Sequence, residues 1–142
     1  MNRGEKIHSA FVKVVHSIVN KAMIILGYLK LNEGYREQFV HVLQKRRTAI
    51  LVLLDLAEKA EGSGYFAGEK GRLEKEFVVF FYELGQRNIE KAWAAGDILI
   101  LHLHAVQTEM KVRLGVMEER PHKSALKLIE EERGFRGGNR AA

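Results

Sequence analysis

The chain has 142 residues, of which 46% are hydrophobic and 29% charged, and its formal net charge is +5 at pH 7. This size and hydrophobic share predict one domain with a single core, without room for a second catalytic domain. The chain contains no cysteine, which excludes disulfides, thiolate nucleophiles and cysteine-ligated metal centres. Because the 23 basic and 18 acidic residues are intermixed, the charge favours an anionic partner without identifying it.

The beginning of the sequence, Met-Asn-Arg-Gly-Glu-Lys, has no apolar signal core and no small-residue cleavage site. We also expect no apolar run close to the roughly 20 residues that span a bilayer, and hence no membrane partner and a cytoplasmic location. Helix-forming residues dominate, and Pro121 is the only proline. This composition predicts an all-α fold.

Two helices are predicted in the first half of the chain. From about Glu5 to Leu31, apolar side chains recur at steps of three and four residues, which is the spacing of one helical face. The same spacing predicts a second helix from about Tyr35 to Ala60. Asn32-Glu-Gly34 is a turn signal between them, and so short a turn predicts an antiparallel hairpin.

A glycine-rich segment separates the two halves. Glu61–Gly71 contains four glycines, which are costly in helix interiors, so a linker is predicted there. Helix three is then predicted from about Arg72 to Ala95, closed by Gly96 and Asp97. Helix four follows to about Glu119. Its leucines at 99, 101 and 103 also fit a strand, but the flanking residues favour a helix.

Pro121 ends the fourth helix, and residues 122–133 can form a short fifth helix. The last residues, 134–142, are rich in glycine and arginine and are predicted to be disordered. The sequence therefore predicts one domain, residues 1–133, folded as an antiparallel four-helix bundle of two helical hairpins. A disordered basic tail follows it.

One histidine of the first helix is a candidate reactive residue. His16 lies about 140° around the helix from the centre of the apolar stripe, on the side of Ser9 and Asn20. An exposed imidazole can accept a phosphoryl group from a partner's active site, whereas a histidine kept for packing points into the core. The alternative is an ordinary solvated surface histidine.

The residues after His16 carry a family resemblance. Asn20 follows at four residues, the helix ends in Ile25-Leu-Gly-Tyr-Leu-Lys-Leu31, and the second helix carries Leu53-Leu-Asp-Leu-Ala57. These features resemble the phosphoacceptor hairpin of sensor histidine kinases and of sporulation-type phosphotransferases, over about residues 11–59. The resemblance implies that His16 is a phosphoacceptor with Asn20 on the same surface. It also implies that the protein partner is a receiver domain or a kinase.

Departures from the family pattern limit what the resemblance implies. Ser17 stands where an acidic residue normally follows the histidine, and Lys21 replaces the frequent proline. The chain shows neither the asparagine box nor the Asp-x-Gly-x-Gly nucleotide loop of the kinase ATPase domain. We therefore expect no cofactor and no autophosphorylation from ATP, and at most a histidine phosphotransferase or a docking protein. Kinase hairpins of this kind dimerise, so a homodimer is an open alternative.

Helix three supports a different interpretation, that of a binding module without chemistry. The segment Phe77-Val-Val-Phe-Phe-Tyr-Glu-Leu is more apolar than one buried face needs. Core burial explains most of this, but Phe77, Phe80 and Phe81 are candidates for binding a partner. Residues 81–97 also resemble a helix turn of the flagellar export chaperones, which implies a groove for an amphipathic client.

Basic and histidine-containing segments supply the remaining candidates. Lys45, Arg46 and Arg47 have the charge to contact nucleic-acid phosphates, although three basic residues on a helix usually form a solvated face. His102 and His104 would share a metal on a strand, whereas on a helix their rings diverge by about 200°. We therefore expect no metal site, and nucleic acid is a lesser alternative.

Overall fold

A computed structural model describes residues 1–27 and 33–116 of the chain, which form four α-helices and no strand. The helices are α1 (Arg3–Gly27), α2 (Glu33–Glu61), α3 (Tyr65–Gly85) and α4 (Ile89–Arg113). Each helix packs against the next one, and α4 also packs against α1, so the four form a closed ring. The predicted all-α fold with a four-helix bundle is confirmed.

Each helix turns one apolar stripe towards a common core. Phe11, Phe66, Phe77 and Phe80 are at most 1% exposed and fill its centre. The large aliphatic residues that are buried around these rings include Ile18, Ile25, Leu43, Ile50, Leu54, Leu73, Leu84 and Leu99. Burial of apolar surface on this scale is the main source of the fold's stability.

The connection between α2 and α3 is much shorter than the sequence predicts. Only residues 62–64 connect the helices, and Gly62 and Gly64 have positive φ angles of 79° and 90°. The carboxylate of Glu58 accepts hydrogen bonds from the backbone N–H groups of Gly64 at 2.9 Å and Ala67 at 3.1 Å. Phe66 is fully buried. These contacts cap and anchor the first turn of α3, so the prediction that the whole of 61–71 is a linker is wrong.

The end of α3 also differs from the prediction. The helix ends at Gly85 rather than at Ala95, and residues 86–88 connect it to α4, with Arg87 at a positive φ of 57°. Asn88 caps α4 by accepting a hydrogen bond from the backbone N–H of Lys91 at 3.1 Å. Gly96 and Asp97, which were predicted to close helix three, lie inside α4.

Gly96 permits close packing instead of ending a helix. A Cβ at this position would lie 3.0 Å from Cε1 of Phe80 and 3.3 Å from Cδ1 of Leu26. The missing side chain therefore allows α4 to approach α3 and α1 at once. At the other end of the bundle Gly4 lies against Leu114, so α1 and α4 are antiparallel.

The segment that also fitted a strand is helical throughout. Leu99 and Leu103 are buried, whereas Leu101 between them is 70% exposed. The alternation arises because α4 carries apolar residues on two faces, one towards the core and one towards the surface. The predicted helix is therefore confirmed, although its period was hard to identify from the sequence.

Several sequence predictions fall partly or wholly beyond the described residues. Gly34 belongs to α2, whereas Asn32 of the predicted turn lies outside the described residues. The predicted fifth helix and the tail, residues 122–142, lie outside them as well, as do Tyr28 to Leu31 of the family resemblance.

By length and composition alone, α1 is apolar enough to cross a membrane. Its most apolar 18 residues have a mean hydropathy of 1.5. Only Lys13 and Lys21 carry charge between residues 7 and 27. The expectation that no segment has this character was therefore wrong. In the bundle one face of α1 packs in the core, and core helices of this kind have the same hydropathy.

Gly96→Ala is expected to lower the free energy of unfolding by about 1–3 kcal/mol, because the added methyl group meets Phe80 and Leu26. Gly71→Ala is the matched control, since a Cβ there meets no heavy atom within 4 Å. It is expected to stabilise the helix by about 0.5–1 kcal/mol. Urea denaturation measures both changes. A stabilising Gly96→Ala would contradict the close approach of α4.

Candidate functional site

His16 lies on the outer surface of α1 and is exposed, as predicted. Lys13, three residues earlier, and Asn20, four residues later, are also exposed. Residues three and four apart are neighbours on a helix surface, so these side chains form one polar face. We call Lys13, His16 and Asn20 the His16 face. Ser9, predicted on the same side, is half-buried.

An arginine of α2 lies at the edge of the His16 face. The Arg46 guanidinium donates a hydrogen bond from Nε to the hydroxyl oxygen of Ser17 at 3.0 Å. Ser17 directly follows His16, at the position where the kinase families carry an acid. The structure therefore places a cation, rather than a carboxylate, beside the residue after the histidine.

This arrangement favours binding of an anion over abstraction of a proton. Lys13 and Arg46 bring positive charge to the face, and each can form charge-assisted hydrogen bonds with phosphate oxygens. Asn20 adds a neutral donor and acceptor. The imidazole itself supplies a nucleophilic nitrogen when it is neutral.

The second part of the resemblance maps onto the α2–α3 interface. Leu54 and Ala57 are fully buried in the core. Asp55 between them is exposed, and its carboxylate forms an ion pair with Nζ of Lys70 on α3 at 3.0 Å. The Leu-Leu-Asp-Leu-Ala segment thus packs the bundle and does not lie on the His16 face.

The basic run of α2 does not form one patch. Successive residues are rotated by about 100° around a helix, so Lys45, Arg46 and Arg47 point in three directions. Lys45 is exposed, Arg46 bonds Ser17 and Arg47 is half-buried. The three charges therefore lie on different sides of α2, and their contact with nucleic acid stays a prediction.

The phenylalanines of α3 are core residues. Phe77 and Phe80 are each 1% exposed, and Phe81 is partly buried against the core, with its ring centroid 6.1 Å from that of Phe77. The prediction that they form a partner-binding surface is therefore wrong for Phe77 and Phe80. The exposed apolar side chains of α3 are instead Val78, Val79 and Tyr82.

A buried ionic cluster that no sequence prediction included joins α3 to α4. Glu69 is 7% exposed and is the single buried charged residue in the described part of the chain. Its carboxylate accepts hydrogen bonds from Arg72, with Nε at 3.1 Å, and contacts Nε2 of His102. The other ring nitrogen of His102, Nδ1, lies 2.8 Å from the carboxylate of Glu76.

The cluster changes the protonation of its members. Burial opposes the charged form of His102, but the hydrogen bonds that its ring donates to the carboxylates of Glu69 and Glu76 outweigh this effect, so the pKa of His102 is raised above its ordinary value. Burial likewise opposes the charged form of Glu69, yet Arg72 and His102 together hold its pKa below 4.5. Both shifts favour an ion pair of His102 with the two carboxylates.

The cluster has the geometry of a link between two helices. Both ring nitrogens of His102 are engaged by carboxylates, so neither is available to attack a substrate. A second ionic group lies further along the same seam, where Arg113 bonds Glu61 at 3.0 Å and Glu109 at 3.1 Å. The Arg113 guanidinium also stacks over the ring of Tyr65, 4.2 Å from its centroid.

The sequence contains a signal for this cluster, but it depends on helix three beginning before Glu69, whereas the predicted helix began at about Arg72. Glu69, Arg72 and Glu76 recur at three- and four-residue steps, the spacing of one face of a helix. The predicted linker placed Glu69 outside helix three, so the shared face was not visible. His102 was considered for metal binding only, and the described residues contain no group of three acidic or histidine side chains able to hold a metal.

Comparison with known proteins found no match: no family model, no curated protein and no solved structure resembles this chain significantly.

His102→Gln is expected to lower the free energy of unfolding by about 1–3 kcal/mol at pH 5.5, because it removes a charged partner of two carboxylates. Since the folded-state pKa is raised, this stabilisation is complete below about pH 6 and is lost as the pH rises through the folded value. Urea denaturation between pH 5 and 9 measures it. His41→Gln, at an exposed position on α2, is the control. A pH-independent difference would contradict the charged pair.

Proposed function

We propose that this chain is a cytoplasmic helical protein of two-component signalling, and that His16 accepts a phosphoryl group from the aspartate of a receiver domain. The observation that carries the proposal is the exposed imidazole on an ordered helical hairpin, between Lys13 and Asn20 on one polar face. The resemblance of residues 11–59 to phosphoacceptor hairpins supports it.

The transfer follows from the chemistry of the face. The unprotonated ring nitrogen of His16 attacks phosphorus of the aspartyl phosphate, and the bond between phosphorus and the carboxylate oxygen breaks. The carboxylate leaves with the electron pair of that bond as a stable anion, so no general acid is required to protonate the leaving group, and the proton on the other ring nitrogen of His16 stays in place. Lys13 and Arg46 then offset the negative charge of the phosphoryl oxygens.

The contact between Ser17 and Arg46 favours phosphoryl transfer from a receiver domain over direct phosphorylation of His16 by ATP. A carboxylate after the histidine would act as the base for that reaction, and here the hydroxyl of Ser17 accepts a hydrogen bond from Arg46 instead. An export-chaperone role has less support than the signalling role, because Phe77 and Phe80, proposed to hold a client, are in the core.

Incubation with a phosphorylated receiver domain is expected to place acid-labile, base-stable label on the wild-type protein and none on His16→Ala. His41→Ala, which removes another exposed histidine, should keep the label. Circular dichroism checks that each variant is folded. Absence of label on the wild type, or label that persists in His16→Ala, would contradict the phosphotransfer proposal.

Arg46→Ala is expected to slow the transfer to His16 by about tenfold or more, because one cation near the developing phosphoryl charge is lost. Lys45→Ala removes one charge from the adjacent exposed position and should leave the rate nearly unchanged. Single-turnover transfer from the receiver measures both rates. Equal rates for the two variants would show that Arg46 has no part in transfer.

A further inference from the structure

The surface of α4 carries an apolar row that faces away from the core. Ile98, Leu101 and Val112 are 57%, 70% and 70% exposed. Three smaller exposed residues complete the spacing, so that the outer row of α4 consists of Ala94, Ile98, Leu101, Ala105, Thr108 and Val112. These positions follow one another at alternating steps of four and three residues, which is the repeat of a coiled-coil seam.

No other described helix covers the outer row. α4 packs on α1 and α3 through its opposite face, where Leu99, Leu103 and Met110 are buried. Beside Ile98 lies an open hollow of about 170 Å³ whose apolar wall includes Val79 and Ala95. An exposed apolar row of this length marks an interaction surface.

The sequence of large and small side chains along the outer row fits a second copy of the row that runs in the opposite direction. If a second α4 is antiparallel to the first and crosses it at the level of Leu103, Ile98 faces Thr108 of the partner subunit and Leu101 faces Ala105 of the partner subunit. Ala94 then faces Val112 of the partner subunit. Each layer pairs a large side chain with a small one, which allows close interdigitation.

Thr108 fits this arrangement because its polar atom is already satisfied. Its hydroxyl donates to the backbone carbonyl of His104 within α4 at 3.1 Å. The side chain can therefore present its methyl group to a partner without leaving a buried hydroxyl unpaired. A parallel pairing would instead set leucine against leucine and alanine against alanine, leaving gaps beside the small residues.

The charged residues beside the outer row also fit the antiparallel arrangement. Asp97, His104 and Lys111 lie at seven-residue intervals along one edge of the row. In the antiparallel arrangement Asp97 faces Lys111 of the partner subunit, and the pair occurs twice by symmetry. His104 lies at the centre and faces its own copy.

We propose that the outer row of α4 is the interface of a homodimer in which the second copy of this chain is bound antiparallel. The interface belongs to α4, whereas His16 belongs to α1, so the proposal does not rest on the signalling role. It also differs from the dimer implied by the kinase resemblance, which would form through the first hairpin.

Sedimentation equilibrium of the full chain tests the interface. The wild type is expected to be a dimer, and Leu101→Glu is expected to raise the dissociation constant by at least about tenfold, because each interface then contains two buried carboxylates. Val78→Glu is the matched control, since Val78 is 62% exposed on α3 but lies outside the outer row. Circular dichroism confirms that both variants are folded.

A monomeric wild type overturns the proposal, and so does a dimer that Leu101→Glu leaves unchanged. Charge reversal provides a second criterion. Asp97→Lys should weaken the dimer by placing like charges opposite each other, and addition of Lys111→Asp in the same chain should restore it. A double variant no tighter than Asp97→Lys alone contradicts the antiparallel register.

Cross-linking determines the orientation, because the chain has no native cysteine. In the antiparallel dimer, two copies of His104→Cys lie at nearly the same level and should be joined by a short bismaleimide. Two copies of Thr108→Cys are separated by about 15 Å along the axis and should not be joined. Cross-linking of Thr108→Cys without His104→Cys indicates a parallel dimer and overturns the proposal.

Discussion

The carboxylate of Glu69 lies where little water reaches it, so its charge has to be balanced by side chains from both helices of the second hairpin. A buried acid without such partners would cost several kcal/mol of folding free energy. Arg72 binds it from the same helix, and His102 binds it from α4 while Glu76 holds the other side of the imidazole. A slip of one turn between α3 and α4 would separate these groups. The cluster therefore favours this axial register of α4 on α3.

Apolar periodicity was enough to predict the four helices of the described residues, their hairpin arrangement and most of the core. Ile7, Phe11, Ile18 and Ile25 of α1 are buried at the expected spacing. The boundaries failed where a tertiary contact outweighed a local preference. Capping by Glu58 and burial of Phe66 extend α3 through two glycines, and Gly96 is needed for helix packing rather than for a turn. Such contacts cannot be read from neighbouring residues alone.

The candidate sites show the same difference between features of one helix and contacts that join distant residues. The exposure of His16 depended only on its angle around one helix, so the sequence predicted it. The contact of Arg46 with Ser17 joins residues 29 positions apart, and the contact of His102 with Glu69 joins residues 33 apart. The burial of Phe77 and Phe80 likewise depended on how the other helices cover α3. Exposure that depends on one helix face was therefore predictable from the sequence, whereas burial by other helices and long-range pairing were not.

The ring of helices has a consequence for the order in which the chain assembles. Three of its four interfaces join helices that follow one another in sequence, and such local contacts form early at small entropic cost. The interface of α1 with α4 is different, because contact of Gly4 with Leu114 closes nearly the whole described chain into a loop. Closure of this last seam therefore carries the largest loop-closure entropy cost of the four interfaces. Until it occurs, the part of the apolar face of α1 that α4 covers stays exposed, and transiently exposed apolar surface of this kind promotes misassociation between chains.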